Sequence, residues 1–85
     1  MAPARAADVF AGQRIYRVHC VGCHGIRGRP ELPGAPNFAR GDGLMRSDLA
    51  IMNAVAEGKR AMPGYRGVLT DEEILDVVAY LRTLR

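Results

Sequence analysis

The five residues Cys20-Val21-Gly22-Cys23-His24 constrain this chain more than any other feature of its sequence. The two thiols lie three positions apart, so one short turn presents both sulfurs together, and an imidazole follows directly. This spacing is typical of covalent haem attachment, in which the cysteines bind the porphyrin vinyl groups and the histidine becomes the proximal iron ligand. One ring nitrogen of His24 then binds iron, and the N–H of the other requires a hydrogen-bond acceptor.

Three other uses of a Cys-x-x-Cys pair fit this sequence less well. A redox dithiol of the thioredoxin type requires a βαβ setting, and no alternating strand pattern flanks the pair. A zinc site needs two further ligands, whereas the sequence has no other cysteine and only one other histidine, His19. A disulfide that closes so short a loop would stabilise the fold little. The sequence therefore predicts one covalently bound haem c with its iron.

The chain is short, with 85 residues, a formal charge of +3 and no tryptophan. A core of this size is close to the lower limit for independent folding, so a buried haem would supply much of the apolar surface. We expect one domain over residues 1–85, with residues 1–5 disordered or added to the natural chain. No segment has the apolar length of a membrane span, and no basic run with interleaved aromatics indicates nucleic-acid binding.

Apolar periodicity and capping residues predict three helices. The first runs from about residue 6 to residue 19. Ser47 is the expected N-cap of the second helix, and Gly58 closes it. Thr70 and Glu73 form the capping box that begins the third helix.

Four methionines compete for the second axial position on the iron, because the only other histidine is tied to the attachment side. Met62 fits best, since it lies in a loop between two helices and Pro63 stiffens the backbone after it. The alternative is that Met62 packs on the haem edge and leaves the iron open. The other three methionines fit less well. Met1 is at the chain end, Met45 precedes the second helix, and Met52 lies on the apolar face of that helix, where core packing is expected.

Residues 25–43 are rich in glycine and proline and predict a loop that lies against one haem face. Its backbone carbonyls are not used within a helix, so one of them can accept the free ring N–H of His24. Pro36 is our candidate for this carbonyl, and Pro30 is the alternative.

Together these residues resemble the class I cytochromes c over essentially the whole chain. The shared pattern consists of Gly12-x-x-x-Tyr16-x-x-x-Cys20-x-x-Cys23-His24, Met62-Pro63, and Val78-Ala79-Tyr80-Leu81 in the last helix. The resemblance implies an all-α, small cytochrome c fold of three to four helices around one haem. In that family the first and last helices cross, with a glycine and an aromatic residue in contact, and Gly12 and Tyr80 match those two roles.

The resemblance also assigns the haem contacts. The family's methionine ligand falls on Met62, and its proline carbonyl falls on Pro36. Some family members place a tryptophan near a haem propionate. Since this chain has no tryptophan, Arg40, Arg60 and Tyr65 are the candidates for that contact.

The function implied by the resemblance is that of a soluble single-electron carrier and not of an enzyme. Haem is attached to cytochromes c outside the bacterial cytoplasm, so we expect a periplasmic location and a signal peptide that has been removed. We expect mostly a monomer, with a domain-swapped dimer as the result if loop 58–67 opens. Four arginines near the attachment site predict a positive rim that docks an acidic redox partner: Arg14, Arg17, Arg27 and Arg29.

Two segments narrow the resemblance further. Pro36-Asn37-Phe38 and residues 64–73 are similar to the c55X-type monohaem cytochromes of denitrifying bacteria, which accompany the haem-d1 nitrite reductase of the periplasm. This similarity implies nitrite reductase as a partner. Two alternatives stay open: an accessory factor in maturation of a denitrification reductase, and a haem protein whose open iron binds a small ligand.

Overall fold

The computed structural model describes residues 7–32, 34–59 and 62–84. Within these ranges the chain forms four α-helices and one 3₁₀ turn, and it contains no β-strand. The elements are α1 Val9–His19, α2 Val21–His24, the 3₁₀ turn Phe38–Arg40, α3 Asp48–Glu57 and α4 Asp71–Leu81. The all-α architecture expected from the sequence is confirmed.

Side-chain caps set where the helices begin. Asp8 accepts the N–H groups of the first turn of α1, so this helix begins at Val9 and not near residue 6 as expected. The other two predicted caps are confirmed. Ser47 accepts from the first turn of α3, and the capping box of Thr70 and Glu73 has both of its hydrogen bonds.

Helices α1 and α4 pack against each other at the predicted glycine. A Cβ atom at Gly12 would lie 2.0 Å from the carbonyl oxygen of Asp76, so only glycine allows this approach. One turn further along α1, Tyr16 is completely buried, and its ring meets the ring of Tyr80 edge-on at 5.2 Å between centroids. The predicted contact between the first and last helices is therefore confirmed.

The buried apolar side chains form two clusters that share α4. The first cluster joins α1, α4 and the loop around Phe38, and the second joins α3 and α4 to the segment that connects them. Ile15 and Met52 pack against both clusters, so Met52 takes the core position expected for it.

Arg82, which follows α4 directly, ties this helix to the start of α3. Its guanidinium donates to a side-chain oxygen of Asp48 at 2.6 Å. It also donates to the backbone carbonyls of Leu44 at 2.7 Å and Arg46 at 3.1 Å. These contacts join two segments of the chain that are 34 to 38 residues apart in sequence.

Candidate haem site

A cavity of about 810 Å³ lies beside the attachment sequence. Its walls come from the end of α1, the loop before the 3₁₀ turn, α3 and the segment that follows α3. Its volume is within the roughly 300–1,000 Å³ that is usual for cofactor sites. Six of the seven predicted site residues line it, namely Cys20, Cys23, His24, Pro36, Met62 and Tyr65. The seventh, Arg60, lies outside the described residues.

The attachment sequence forms one helical turn, as its spacing predicts. The N–H groups of Cys23 and His24 both donate to the carbonyl of Cys20, at 3.3 and 2.9 Å. Gly25 ends this turn at a φ of +77°, and a Cβ atom there would lie 1.8 Å from the carbonyl oxygen of Arg29. The turn is therefore held rigidly before and after the histidine.

The two thiols show no feature of a redox dithiol. Cys20 is half-buried, Cys23 is exposed, and neither is in a disulfide. Burial raises the pKa of the Cys20 thiol to about 11, and the neighbouring Cys23 adds to this rise. Reactive dithiols instead depend on a lowered pKa, because the thiolate is the attacking species.

His24 is buried, and its ring is held against Phe38 with 4.8 Å between ring centroids. Burial lowers the pKa of His24, which favours the neutral imidazole that metal ligation requires. Among the described residues, its buried Nδ1 atom has no hydrogen-bond partner. A neutral imidazole that shares one cavity wall with two thiols and a methionine is a donor set that fits a covalently bound haem.

The hydrogen bond predicted between His24 and Pro36 is not formed in this structure, and neither is the alternative bond to Pro30. Pro36 is exposed at the cavity wall. The physical reason is the seating of Phe38, whose N–H donates to the carbonyl of Gly28 at 2.9 Å and whose ring covers one side of the imidazole. Pro36 thus shares the cavity with His24 without contacting its free nitrogen.

Met62 is held in a tight backbone turn against the end of α3. Its N–H donates to the carbonyl of Lys59 at 2.9 Å, and its carbonyl accepts the Lys59 N–H at 3.0 Å. Glycines make this turn possible: a Cβ atom at Gly58 would lie 2.7 Å from the Met62 oxygen, and one at Gly64 would lie 2.7 Å from the Glu57 oxygen. The half-buried Met62 side chain packs against the second apolar cluster at the cavity wall.

Tyr65 closes the cavity on the side of α1. Its hydroxyl donates to the carbonyl of His19 at 3.0 Å, and the His19 ring meets its ring edge-on at 5.5 Å between centroids. Burial, together with the two nearby thiols, raises the pKa of Tyr65. Because the Tyr65 hydroxyl donates its proton to the His19 carbonyl, a hydrogen bond from this hydroxyl to a haem propionate would have to replace that bond.

Arg40, the other predicted propionate partner, does not line the cavity. Its guanidinium pairs with the carboxylate of Asp42 at 2.7 Å. Two cationic side chains that the sequence did not predict as site residues line the cavity wall, Arg46 and Lys59. The adjacent chain turns place them there, and their sequence positions carry no periodic signal that would have identified them.

The predicted positive rim is exposed, since Arg14, Arg17, Arg27 and Arg29 all face solvent. None of the ion pairs within the described ranges involves these four arginines. In the same part of the chain, no three His, Cys, Asp or Glu side chains are grouped closely enough to hold a metal ion by themselves. The described helices also include none with the length and apolar character needed to cross a membrane.

Comparisons with known proteins agree with this site. Residues 7–81 match the family described as cytochrome c oxidase, cbb3-type, subunit III. Cytochrome c6 of Gracilaria tenuistipitata var. liui is 37% identical over 89% of this chain and 72% of its own length. Cytochrome c6 of Thermosynechococcus vestitus is 38% identical over 92% of this chain and 71% of its own length.

Solved structures show the same fold. The c-type cytochrome KustC0563 superimposes with a TM-score of 0.78 and 32% identity over 87% of this chain and 96% of the other. Cytochrome c6 from the diatom Phaeodactylum tricornutum superimposes with a TM-score of 0.71 and 31% identity over 91% and 93%.

A helical fold around a cavity that carries Cys-x-x-Cys-His defines a c-type cytochrome. This chain belongs to the class I monohaem c-type cytochromes, within which it is similar to cytochrome c6. Its cofactor is one covalently bound haem c with its iron, and it is a small electron carrier. The expected fold and cofactor are therefore confirmed.

Proposed function

We propose that His24 and Met62 are the two axial ligands of the haem iron, and that Cys20 and Cys23 hold the haem through thioether bonds. One observation carries this proposal: a single cavity collects these four side chains. When bound, the haem supplies a reversible one-electron change between Fe(II) and Fe(III). With both axial positions filled, substrates have no access to the metal.

The residues of the chain tune and protect this site. The buried, neutral His24 provides one ligand, and the Met62 thioether raises the reduction potential relative to a second histidine. The turn that carries Met62 is fixed by two backbone hydrogen bonds to Lys59. A fixed ligand loop changes little between the two oxidation states, which suits fast electron transfer.

Cys23, one of the two residues that would hold the haem, is exposed, so a bound haem would be open to electron exchange on this side. The four exposed arginines of the positive rim surround the sequence that carries this cysteine. A positive surface attracts an acidic partner and speeds its encounter, while the complex stays weak enough to separate quickly. We expect the rate of electron transfer to such a partner to fall as the salt concentration rises.

The chemistry of haem attachment and the similarity of two segments support a cellular location and a partner. Covalent haem attachment outside the bacterial cytoplasm supports a periplasmic location. Nitrite reductase as the acceptor rests on the similarity of residues 36–38 and 64–73 to the c55X-type cytochromes, and it stays a prediction. Stopped-flow oxidation of the reduced protein by purified haem-d1 nitrite reductase tests it, and a rate no faster than that of an unrelated cytochrome would contradict it.

The two alternatives predict different behaviour. A small-ligand binder requires an open iron, and the loop that holds Met62 over the cavity argues against this. A maturation factor would form a stable complex with a reductase and deliver electrons only during its assembly. Co-purification with a reductase and the rate of electron transfer to the mature enzyme distinguish that role from shuttling.

The absorption spectrum of the oxidised and reduced protein tests the axial ligands. We expect low-spin iron and the weak near-infrared charge-transfer band from sulfur to ferric iron. Met62→Ala should abolish this band and let the reduced iron bind carbon monoxide. Met45→Ala is the matched control, because Met45 is 86% exposed and should leave the spectrum unchanged. A wild-type protein with high-spin iron and no such band would contradict the proposal.

A further inference from the structure

Tyr16 contacts the attachment turn at both of its ends. Its backbone carbonyl accepts the N–H of Cys20 at 2.9 Å, where the turn begins. Its hydroxyl donates to the carbonyl of Gly25 at 2.5 Å, directly after His24, where the turn ends. Both bonds come from one completely buried residue, so solvent does not compete for them.

The other contacts of Tyr16 fix it in place. Its ring meets Tyr80 of α4 edge-on, and α4 lies against α1 at Gly12, one turn earlier. Gly25 is equally constrained, because its N–H donates to the carbonyl of Val21 at 2.9 Å. The hydroxyl bond therefore joins the crossing of α1 and α4 to the Gly25–Ile26 peptide, one peptide beyond His24.

We propose that Tyr16 is a positioning residue, which sets the orientation of the His24 imidazole through the bond from its hydroxyl to the Gly25 carbonyl. The proposal rests on the ligation of iron by His24 proposed above. The imidazole has no hydrogen bond of its own at Nδ1 among the described residues. The Phe38 ring lies against the imidazole, and Tyr16 contacts the backbone on both sides of His24, at Cys20 and at Gly25.

Nuclear magnetic resonance of the ferric holoprotein tests this role, because the paramagnetic shifts of the haem methyl groups depend on the orientation of the axial ligands. Tyr16→Phe keeps the ring and removes only the hydroxyl. We expect a displaced pattern of haem methyl resonances and about tenfold faster hydrogen exchange at the Gly25 amide. Tyr80→Phe is the matched control at the same crossing, since its hydroxyl has no hydrogen bond within the described part of the chain.

Each outcome decides the question. A Tyr16→Phe protein that unfolds more easily but keeps the wild-type haem methyl pattern would show a purely structural role, and the proposal would be wrong. Equal displacement in Tyr80→Phe would assign the effect to the helix crossing and would also overturn it. Failure of the proposed ligation would appear earlier and separately, as His24 ring protons without iron-induced shifts in the wild-type protein.

Discussion

At the crossing of α1 and α4 the helices contact each other directly, whereas the neighbouring cavity holds a buried imidazole whose Nδ1 has no partner among the described residues. The crossing brings Gly12 against the backbone of Asp76 and the ring of Tyr16 against Tyr80. The cavity instead gathers apolar walls and candidate ligands around a space of about 810 Å³. At the crossing, each helix provides the surface that the other packs against. The cavity instead provides walls and ligands that suit a haem.

This difference predicts which contacts in the folded protein depend on bound haem and which do not. Contacts at the crossing do not involve the cofactor, so we expect them to persist in part without haem. Contacts around Met62 and His24 are complete only when the cavity is filled. A bound cofactor stabilises the folded state and not the unfolded chain, so its removal should affect the cavity side first.

The largest effect should follow from preventing haem attachment. In Cys20→Ser with Cys23→Ser, produced without haem, we expect loss of the cooperative thermal transition, since a core of this size alone supplies at most about 3–5 kcal/mol. Circular dichroism measures this loss. Hydrogen exchange should show the amides of Met62 and Tyr65 unprotected, while some protection stays at the crossing. A haem-free chain that unfolds cooperatively at the holoprotein's temperature would contradict this division.

The second prediction breaks the crossing itself. In Gly12→Ala the new Cβ atom would lie 2.0 Å from a backbone oxygen of α4, so the helices must move apart. We expect a loss of about 3 kcal/mol in the free energy of unfolding, measured with denaturant on the holoprotein. Gly22→Ala is the control, because nothing lies within 4 Å of a Cβ atom at that position. Similar losses in the two variants would show that the close approach does not determine stability.

Local signals explain which parts of the fold could be predicted. Ser47, Thr70 and Glu73 act on N–H groups within three residues, so their sequence positions were enough to locate two helix starts. Asp8 shows the limit of this approach. Its side chain caps α1, so the helix begins at Val9, later than the start near residue 6 that the sequence predicted.

The candidate site divides in the same way. The Cys-x-x-Cys-His turn and the Met62 loop are short segments with their own chemistry, and both reached the cavity as expected. The bond from His24 to Pro36 was not found, because the packing of Phe38 decides the local geometry. The Tyr16 hydroxyl bond reaches across 9 residues and the contact of Arg82 with Leu44 across 38, and no local sequence pattern signals either of them.

A third prediction concerns the stability of the crossing at alkaline pH, where the buried Tyr16 hydroxyl loses its proton. Burial raises the pKa of Tyr16 from 10.0 to about 12. The unfolded chain thus loses this proton near pH 10, whereas the folded protein retains it until about pH 12. The stabilisation from the protonated hydroxyl is complete below pH 10 and is lost as pH rises through this window.

Denaturant unfolding at several pH values measures this loss. Wild-type protein should lose stability above pH 10 more steeply than Tyr16→Phe, so the difference between the two should shrink toward pH 12. Tyr80→Phe removes a hydroxyl from the same ring pair and is the control for the loss of a hydroxyl as such. Parallel curves for wild type and Tyr16→Phe would show that this tyrosine does not contribute to alkaline unfolding.

The smallest expected effect concerns the edge of the cavity side, where Arg82 ties α4 to the start of α3. Its guanidinium is only partly exposed and serves one carboxylate and two backbone carbonyls, so Arg82→Ala should cost about 1.5 kcal/mol of unfolding free energy. Arg66→Ala is the matched control. Arg66 pairs with Glu57, both side chains are more than 60% exposed, and solvent screens the pair, so we expect little change.

Denaturant midpoints of the two holoprotein variants measure the difference between these arginines. Because Leu44 and Arg46 line the cavity as well as bonding Arg82, the Arg82→Ala variant should also release haem-side amides to faster exchange. Equal midpoints for the two variants would mean that the carbonyl contacts add nothing to an ordinary surface ion pair. A larger loss in Arg82→Ala would show that the cavity wall depends on a charged anchor as well as on its cofactor.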